Sequence, residues 1–328
     1  MLMLSWIFKL NNYISEKFYR PPPKMMFFHF YLKFILGGSI MDKYLNAYRE
    51  MISLRGLTGH TLKSYSTYIR AYLDYLSNIL HKRPEDVSWD ELRDYIRWIQ
   101  KNRNLSGRTI NASISQLRFF TLYVLHKPWD DTQLPMRKFD TYFPYVPSRS
   151  EIDSFLNTLP TLKQKAMVSL MYSSGLRIGE VCRLKYEDIQ RSSMRIHIAK
   201  TKNRSDRYTI LSERALDILT RYWYEYERPT DWLFPSRWDP LRPIKTAVVD
   251  RQVLEHRKHL NLNPKLNCHS FRHAFATHLY ESGTDLLTLK ELLGHKSINS
   301  TVIYIHLASY SSRNICSPFD QMGGPLHV

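Results

Sequence analysis

Hydrophobic positions recur at helical spacing from Met41 to His126. In the stretch "TLKSYSTYIRAYLDYLS" they fall at Leu62, Tyr65, Ile69, Tyr72 and Leu76, which places them on one face of a helix. Three further stretches, "DKYLNAYREMISLRG", "SWDELRDYIRWIQ" and "GRTINASISQLRFFTLYVLH", have the same character. Ser88 and Glu91 have the spacing of a capping box at a helix start. The pattern predicts a compact module of four helices over residues 41–127.

The periodicity stops in residues 128–147, where four prolines indicate an interdomain linker. Ser148 and Glu151 then form a second capping-box pair, and helical patterns follow as far as Ser173 and again after residue 212. Between them, "MRIHIAK" and "RYTILS" flank the polar stretch "TKNRSD", which is typical of two strands joined by a longer turn. We therefore expect a mainly α fold with a small β-sheet. Its predicted parts are a helical domain (41–127), a linker (128–147), an α+β domain (148–312) and a tail (313–328).

Residues 1–40 stand apart from this pattern. The apolar stretch "MMFFHFYLKFILGG" is too short for a spanning helix and is interrupted by His29 and Lys33. No small-residue cleavage site follows it. Gly37 and Gly38 lie where glycine codons can spell a ribosome-binding sequence ahead of Met41. We expect Met41 to be the natural start and residues 1–40 to be an upstream, non-native or disordered extension.

The net charge of the chain indicates what kind of partner it binds. The 328 residues include 47 Lys and Arg against 30 Asp and Glu, a formal net charge of +17, scattered along the chain. Such a surface suits a polyanion, and nucleic acid is the leading partner because each neutralised phosphate releases counterions. An anionic membrane is the rival, but no convincing basic amphipathic helix or lipidation motif is evident. The three cysteines are far apart and odd in number, which fits a reducing cytoplasm.

Four short stretches carry candidate chemistry. In "CHSFRHAFATHL", His269 and Arg272 are three residues apart and share a helix face. His273 lies four residues after His269, the spacing of the two histidines in the HExxH zinc motif, but Ser270 stands where that motif has glutamate. The other candidates are Arg177 in "GLRIGE", His295 and Tyr304 in "LGHKSINSTVIYIH", and Lys200 and Lys202 in the hairpin turn. Each has a structural explanation alone, but together they are donors and a nucleophile suited to a phosphodiester. No carboxylate pair for a metal is evident, so we expect no cofactor.

Three of these stretches carry a family resemblance. "YSSGLRIGEVCRL", "HSFRHAFATHL" and "LLGHKSINSTVIYIH" occur in the order found in the tyrosine recombinase/phage integrase family, including Xer-like site-specific recombinases. Residues 145–310 resemble the family's α+β catalytic domain, and residues 42–127 resemble its helical, SAM-like core-binding domain. The resemblance implies an enzyme that cleaves and rejoins DNA through a covalent 3′-phosphotyrosyl intermediate, without metal or ATP.

The resemblance also implies residue roles. Arg177, His269 and Arg272 would form the basic triad, His295 would stand at the family's His-or-Trp position, and Tyr304 would be the nucleophile. The two arginines would clamp the scissile phosphate, and His269 would accept the tyrosine proton.

The stretch "AKTKNRSDRYTIL" departs from the pattern that the family usually shows around its lysine, between the two strands. When this chain is aligned with the family on Arg207, Lys202 takes the place of the general acid. When it is aligned on the preceding strand, Lys200 does. We favour Lys202 because the acid must reach the leaving 5′ oxygen from the hairpin tip. We interpret Glu180 as a partner that holds Arg177, with a solvated surface acid as the alternative, and His273 and His278 as structural residues.

The implied partner is double-stranded DNA, clamped between the two domains. The implied assembly is a homotetramer on paired sites, with a dimer on each site and each tail packed on a neighbour. Two alternatives remain at this point: a catalytically silent DNA-binding regulator, and a type IB topoisomerase-like enzyme. The complete set of site residues argues against the first, and the helical amino-terminal module and small size argue against the second.

Overall fold

A computed structural model describes residues 41–140, 142–199, 206–229 and 231–308. The predictions for residues 1–40, for Lys200 and Lys202 and for the tail (313–328) lie outside these residues. The chain divides into two compact units between Thr141 and Tyr142, which are described separately.

The first unit contains the four predicted helices. They are α1 (residues 41–53), α2 (Gly59–Tyr75), α3 (Trp89–Arg103) and α4 (Gly107–Tyr123). One π turn, Leu76–Leu80, continues α2, and a 3-10 turn, Pro84–Asp86, precedes α3. The predicted capping box is present, since the Ser88 side chain accepts from the Glu91 backbone and the Glu91 carboxylate accepts from Ser88 N–H. Local polar chemistry therefore sets where α3 begins.

Aromatic and branched side chains from all four helices form the core of this unit. Tyr48, Ile69, Tyr95 and Phe120 are almost fully buried in one cluster. The Tyr48 hydroxyl donates to Gln116 Oε1 at 2.6 Å, so the polar end of a buried ring is satisfied. This burial, and not helix propensity alone, holds such short helices.

The second unit is mainly helical around a small sheet. Its helices are α5 (Arg149–Thr158), α6 (Leu162–Ser173), α7 (Ile178–Cys182), α8 (Glu213–Glu225), α9 (Thr246–His259), α10 (Cys268–Glu281), α11 (Leu286–Leu293) and α12 (Asn299–Leu307). The second predicted capping box, Ser148 with Glu151, starts α5.

Three antiparallel strands form the sheet in the order β1 (Ile189–Gln190), β2 (Arg195–Ile198) and β3 (Arg207–Ile210). Ile196 pairs with Ile189 on one side and with Thr209 on the other. The predicted hairpin is confirmed as β2 and β3. The two-residue strand β1 was not predicted, because so short a segment shows no alternation.

Helix α10 lies at the centre of the second unit, packed against α6, α11 and α12. Phe271 and Ala274 enter the main core, whereas Phe275 and Ala276 enter a smaller cluster with Leu293 and Tyr304. Burial on two sides fixes the direction of the polar residues that α10 carries. Within the described part of the chain, no helix combines the length and apolar composition that crossing a bilayer requires.

Candidate active site

The amino-terminal end of α7 holds the first candidate residue, Arg177. Its backbone N–H and its Nη1 donate to the two oxygens of Glu180, each at 2.9 Å. Glu180 is buried, whereas the Arg177 side chain is 27% exposed. The structure thus pairs Glu180 with Arg177 as the sequence analysis interpreted, and leaves part of the guanidinium open to solvent.

Glu180 is also bound by a residue to which the sequence analysis gave no role. Arg207 donates from Nη1 and Nη2 to the two Glu180 oxygens, at 2.9 and 2.8 Å. Burial alone would raise the pKa of Glu180, but hydrogen bonds and positive charge from Arg207, with help from Arg177, lower it to about 2. Glu180 is therefore ionised throughout the neutral range and organises the arginines around it.

Arg272 on α10 is almost fully buried, with 2% exposure. Its Nη1 donates to the Gly175 carbonyl, and its Nη2 donates to the Leu293 carbonyl at 2.6 Å. The guanidinium also lies 3.9 Å from Glu180 Oε2. Arg272 therefore joins the chain before α7 to the end of α11, and its plane is fixed by the protein itself.

His295 follows α11 and contacts Arg272. Its Nε2 lies 3.2 Å from Arg272 Nη2, and its Nδ1 lies 3.0 Å from the Thr301 hydroxyl. Because a guanidinium only donates, Nε2 must accept, so the proton of the neutral ring is on Nδ1. Burial and the positive charge of Arg272 lower the pKa of His295 to about 4. The ring is neutral near pH 7 and acts here as an acceptor.

Tyr304 on α12 lies beside these groups but is 2% exposed. Its ring is nearly parallel to the His295 ring, with centroids 6.4 Å apart. Its hydroxyl lies 3.3 Å from Nδ1 of His273, a residue that the sequence analysis interpreted as structural. Burial raises the pKa of Tyr304, while the charges of Arg272 and Arg177 oppose that rise. The hydroxyl is thus a protonated phenol with a polar partner, inside an otherwise apolar cluster.

His269 occupies the exposed start of α10, where its backbone N–H donates to the Asn267 side chain at 2.8 Å. Its ring meets that of His273 edge to face, with centroids 5.7 Å apart. Although the residue as a whole is exposed, loss of water around the ring and the charges of Arg272 and Arg177 lower its pKa. The structure therefore places His273, and not His269, next to the Tyr304 hydroxyl.

Other titratable groups lie apart from this cluster. His278 lies 3.2 Å from the Tyr172 hydroxyl, in keeping with the structural role given to it. Across residues 41–308, leaving aside 141, 200–205 and 230, no group of three or more His, Cys, Asp or Glu could hold a metal ion. What the described cluster offers is therefore guanidinium donors, neutral imidazoles and a phenol.

A basic cluster around one carboxylate, with a tyrosine beside it in an α+β unit, is chemically suited to a phosphate ester. Residues 148–310 match the phage integrase family, and residues 44–131 match the phage integrase N-terminal SAM-like domain. A putative integrase/recombinase, y4qK, from Sinorhizobium fredii is 31% identical over 277 residues, covering 84% of this chain and 88% of the relative. The chain belongs to the phage integrase, or tyrosine recombinase, family.

Other similar proteins point the same way. The tyrosine recombinase XerC of Anoxybacillus flavithermus is 28% identical over 284 residues, covering 80% of this chain and 92% of the relative. Two solved structures share the fold at low identity. XerH recombinase, in a post-cleavage complex with a difH substrate, has a TM-score of 0.64 and 20% identity, covering 76% of this chain and 77% of that one. A lambda integrase dimer bound to a core site has a TM-score of 0.63 and 18% identity, covering 80% and 94%.

The family, the fold class and the enzyme class predicted from the sequence are confirmed. The protein is a site-specific tyrosine recombinase that acts on DNA. Sequence reasoning missed the contacts of Arg207, Thr301 and His273. Of these three residues, only Arg207 had a signal in the sequence, because the family's lysine pattern can be aligned on it.

Proposed function

We propose that this recombinase cleaves DNA by attack of Tyr304 on a scissile phosphate, which leaves a 3′-phosphotyrosyl bond and a free 5′ hydroxyl. The observation that carries the proposal is convergence: Arg272 contacts His295, whose ring lies parallel to Tyr304. Arg177 and Arg272 both lie beside Glu180. These residues come from four separate segments of the second unit.

Arg177 and Arg272 clamp the non-bridging oxygens of the phosphate in this proposal. Their charges stabilise the additional negative charge of the pentacoordinate transition state. Planar guanidinium groups suit such oxygens, and Arg272 is already oriented by two backbone carbonyls. His295 supports the clamp by accepting from Arg272, so its role is orientation of that arginine.

The proposed reaction requires two proton transfers. Tyr304 must lose its proton as it attacks, and we assign His269 as the acceptor. The phenol can reach His269 only after it has left His273. The departing 5′ oxygen must gain a proton, and Lys202 is our general acid, with Lys200 as the alternative. Rejoining is the reverse reaction, in which a DNA hydroxyl attacks the phosphotyrosyl ester, so neither ATP nor a cofactor is required.

The burial of Tyr304 sets a condition on this chemistry. A phenol that is 2% exposed and paired with His273 cannot meet a phosphate until the atoms covering it move. DNA binding must therefore displace α12 or its cover. This step precedes cleavage in the proposed sequence.

The partner in this proposal is double-stranded DNA, bound by a homotetramer with a dimer on each site. The similar lambda integrase forms a dimer on its core site, which supports one dimer per site here. We place the activity in the cytoplasm, where the buried free thiols Cys182 and Cys268 would stay reduced.

The test of the function is covalent capture. A nicked suicide substrate carrying the cognate site should trap a protein–DNA adduct with EDTA present, because the attack needs no metal. Tyr304→Phe should abolish the adduct and leave DNA binding intact, since only the nucleophilic oxygen is lost. Tyr224→Phe is the matched control, because Tyr224 is 60% exposed on α8, and it should form the adduct normally.

Other outcomes would contradict the proposal. Wild-type protein that binds its site but forms no adduct would be a DNA-binding regulator. Relaxation of supercoiled DNA without recombinant products would indicate a topoisomerase. An adduct that persists in Tyr304→Phe would assign the nucleophile to another residue.

A further inference from the structure

Arg207 has a buried side chain that lies outside the proposed phosphate clamp but contacts the residues around it. It is the first residue of β3, directly after the hairpin turn, and its side chain is 8% exposed. Two of its nitrogens bind Glu180 in a parallel fork, and Nε donates to the Leu292 carbonyl at 3.0 Å. One side chain therefore joins the sheet to α7 and to the end of α11.

The Leu292 carbonyl belongs to the segment that orients the clamp. The next carbonyl, of Leu293, accepts from Arg272, and His295 accepts from the same guanidinium. Two arginines thus satisfy adjacent carbonyls at the end of α11, where helix carbonyls lack helical partners. Arg207 and Arg272 hold this helix end from separate elements.

Close packing at Gly294 shows how tightly the segment fits Arg207. Gly294 has φ +64°, and a Cβ there would lie 2.7 Å from Arg207 Cδ. A side chain at this position would have to displace the arginine stem. The space between the hairpin and α11 is therefore filled by Arg207 itself.

The charge balance at Glu180 explains why the fork from Arg207 matters for cleavage. The Arg207 guanidinium binds both carboxylate oxygens, whereas the Arg177 guanidinium binds one and that of Arg272 lies 3.9 Å away. A buried carboxylate deprived of its main partner strongly attracts any remaining cation. Without Arg207, Glu180 would draw Arg177 and Arg272 towards itself and away from a bound phosphate.

We propose that Arg207 is a positioning residue for strand cleavage: it satisfies Glu180 and braces the end of α11, so that Arg177 and Arg272 remain available to the scissile phosphate. This inference rests on the proposed function. It predicts that Arg207 contributes through the arginines and not through contact with DNA.

The experiment measures single-turnover adduct formation, DNA affinity and thermal stability in the full-length protein. Arg207→Gln should slow adduct formation by about 100-fold, the scale of losing one aligned donor to a transition state. DNA affinity should change little. Arg207→Lys should also be slow, because an ammonium cannot form the fork. Arg195→Gln is the matched control, since Arg195 is an exposed arginine on β2 of the same hairpin, and it should cleave at the wild-type rate.

A double variant separates charge balance from a general structural role. Glu180→Gln added to Arg207→Gln should recover about 10-fold in rate, because a neutral amide no longer attracts the two clamp arginines and the coupled residues deviate from additivity. A merely structural role predicts the opposite, a double variant slower than either single one. A slower double variant would overturn the inference.

A modified leaving group separates the clamp from the general acid. In a substrate with a 5′-phosphorothiolate at the cleavage site, the leaving sulfur needs no proton, so this substrate compensates only for a lost general acid. It should therefore not rescue Arg207→Gln. Lys200→Ala and Lys202→Ala are assayed alongside, and the variant that is rescued identifies the lysine that serves as the acid. Rescue of Arg207→Gln would mean that Arg207 serves the acid, which overturns the inference.

The outcomes distinguish the two proposals. No adduct with wild-type protein overturns the proposed function and with it the role of Arg207. A normal wild-type adduct, with an undiminished rate in Arg207→Gln, overturns only the inference. If Arg207→Gln does not fold, Arg207→Lys decides, since wild-type cleavage in that variant is equally contrary.

Discussion

Two histidines of the site are neutral because of where they lie. His273 contacts the Tyr304 hydroxyl and His295 contacts Arg272, and burial lowers the pKa of each to about 4. Nearby charge also lowers both pKa values, from His269 and Arg272 in the case of His273 and chiefly from Arg272 and Arg177 in the case of His295. Folding therefore favours the uncharged rings, and protonating them opposes the native state.

The free energy of unfolding should consequently fall in mild acid. A folded-state pKa below the usual 6.5 means that the unfolded chain binds more protons between pH 6.5 and 4. Stability is full above pH 6.5 and is lost as pH falls towards 4. We expect each histidine to account for a loss on the order of 1 kcal/mol between about pH 7 and 5. Urea unfolding at the two pH values measures it.

The matched variants are His273→Asn and His295→Gln, each of which should lose less stability over the same interval than wild type. Titration of Glu180 does not affect this comparison between pH 7 and 5. Its pKa of about 2, against the usual 4.5, moves its own loss of stability to the more acidic interval between those values. Variants that lose as much stability as wild type between pH 7 and 5 would show that other groups titrate there.

At the scale of elements, the turn between α6 and α7 packs closely against α10. Gly175 has φ +63°, a conformation that costs most residues energy, and its carbonyl accepts from Arg272. A Cβ at this position would lie 2.4 Å from Phe275 Cδ1. The glycine is thus required both by the backbone conformation and by the ring that packs against it.

Gly175→Ala should lower the free energy of unfolding by about 2 kcal/mol or more, since the backbone cost and the collision with Phe275 add together. It should also slow DNA cleavage, because the Gly175 carbonyl orients Arg272. Thermal melting and the adduct assay measure the two effects. Gly59→Ala is the control: Gly59 begins α2 with open space around it, so stability should be unchanged or slightly higher. Equal melting temperatures for the two variants would refute the argument.

Much of the element structure could be predicted because its causes are local. Ser88 with Glu91 and Ser148 with Glu151 are three residues apart, and both capping boxes formed. The helical periodicity and the hairpin likewise depend on neighbouring residues. Family motifs supplied the identity of the candidate site residues.

The contacts within the site could not be predicted in the same way. Arg207 and Glu180 are 27 residues apart, and Tyr304 and His273 are 31 apart. Such pairs form only when the sheet, α7, α10 and α12 have packed, so no spacing rule reveals them. For this reason His273 was interpreted as structural, and no role was found for Arg207.

At the scale of the whole molecule, two units with separate cores carry a formal net charge of +17. Each lysine or arginine that neutralises a DNA phosphate releases counterions, so affinity should depend steeply on salt. We expect affinity for a duplex carrying the cognate site to fall by about 10³- to 10⁵-fold between about 50 and 200 mM salt, as for 6–10 phosphate contacts. Fluorescence anisotropy over a salt series measures it.

Tyr304→Phe provides the control, because loss of one hydroxyl leaves the charge unchanged and should leave the slope unchanged. A flat salt dependence would contradict the electrostatic account of DNA binding. It would then favour recognition through neutral contacts to base edges.

Glu180 leaves an imbalance that exists before any DNA binds. Three guanidinium groups, those of Arg177, Arg207 and Arg272, surround this one carboxylate, which gives three positive charges against one negative and a surplus of two. Tetrahedral buffer anions such as sulfate carry the matching charge and resemble a phosphodiester in shape. We therefore expect such anions to compete with the scissile phosphate, so that the choice of buffer salt alters the measured cleavage rate.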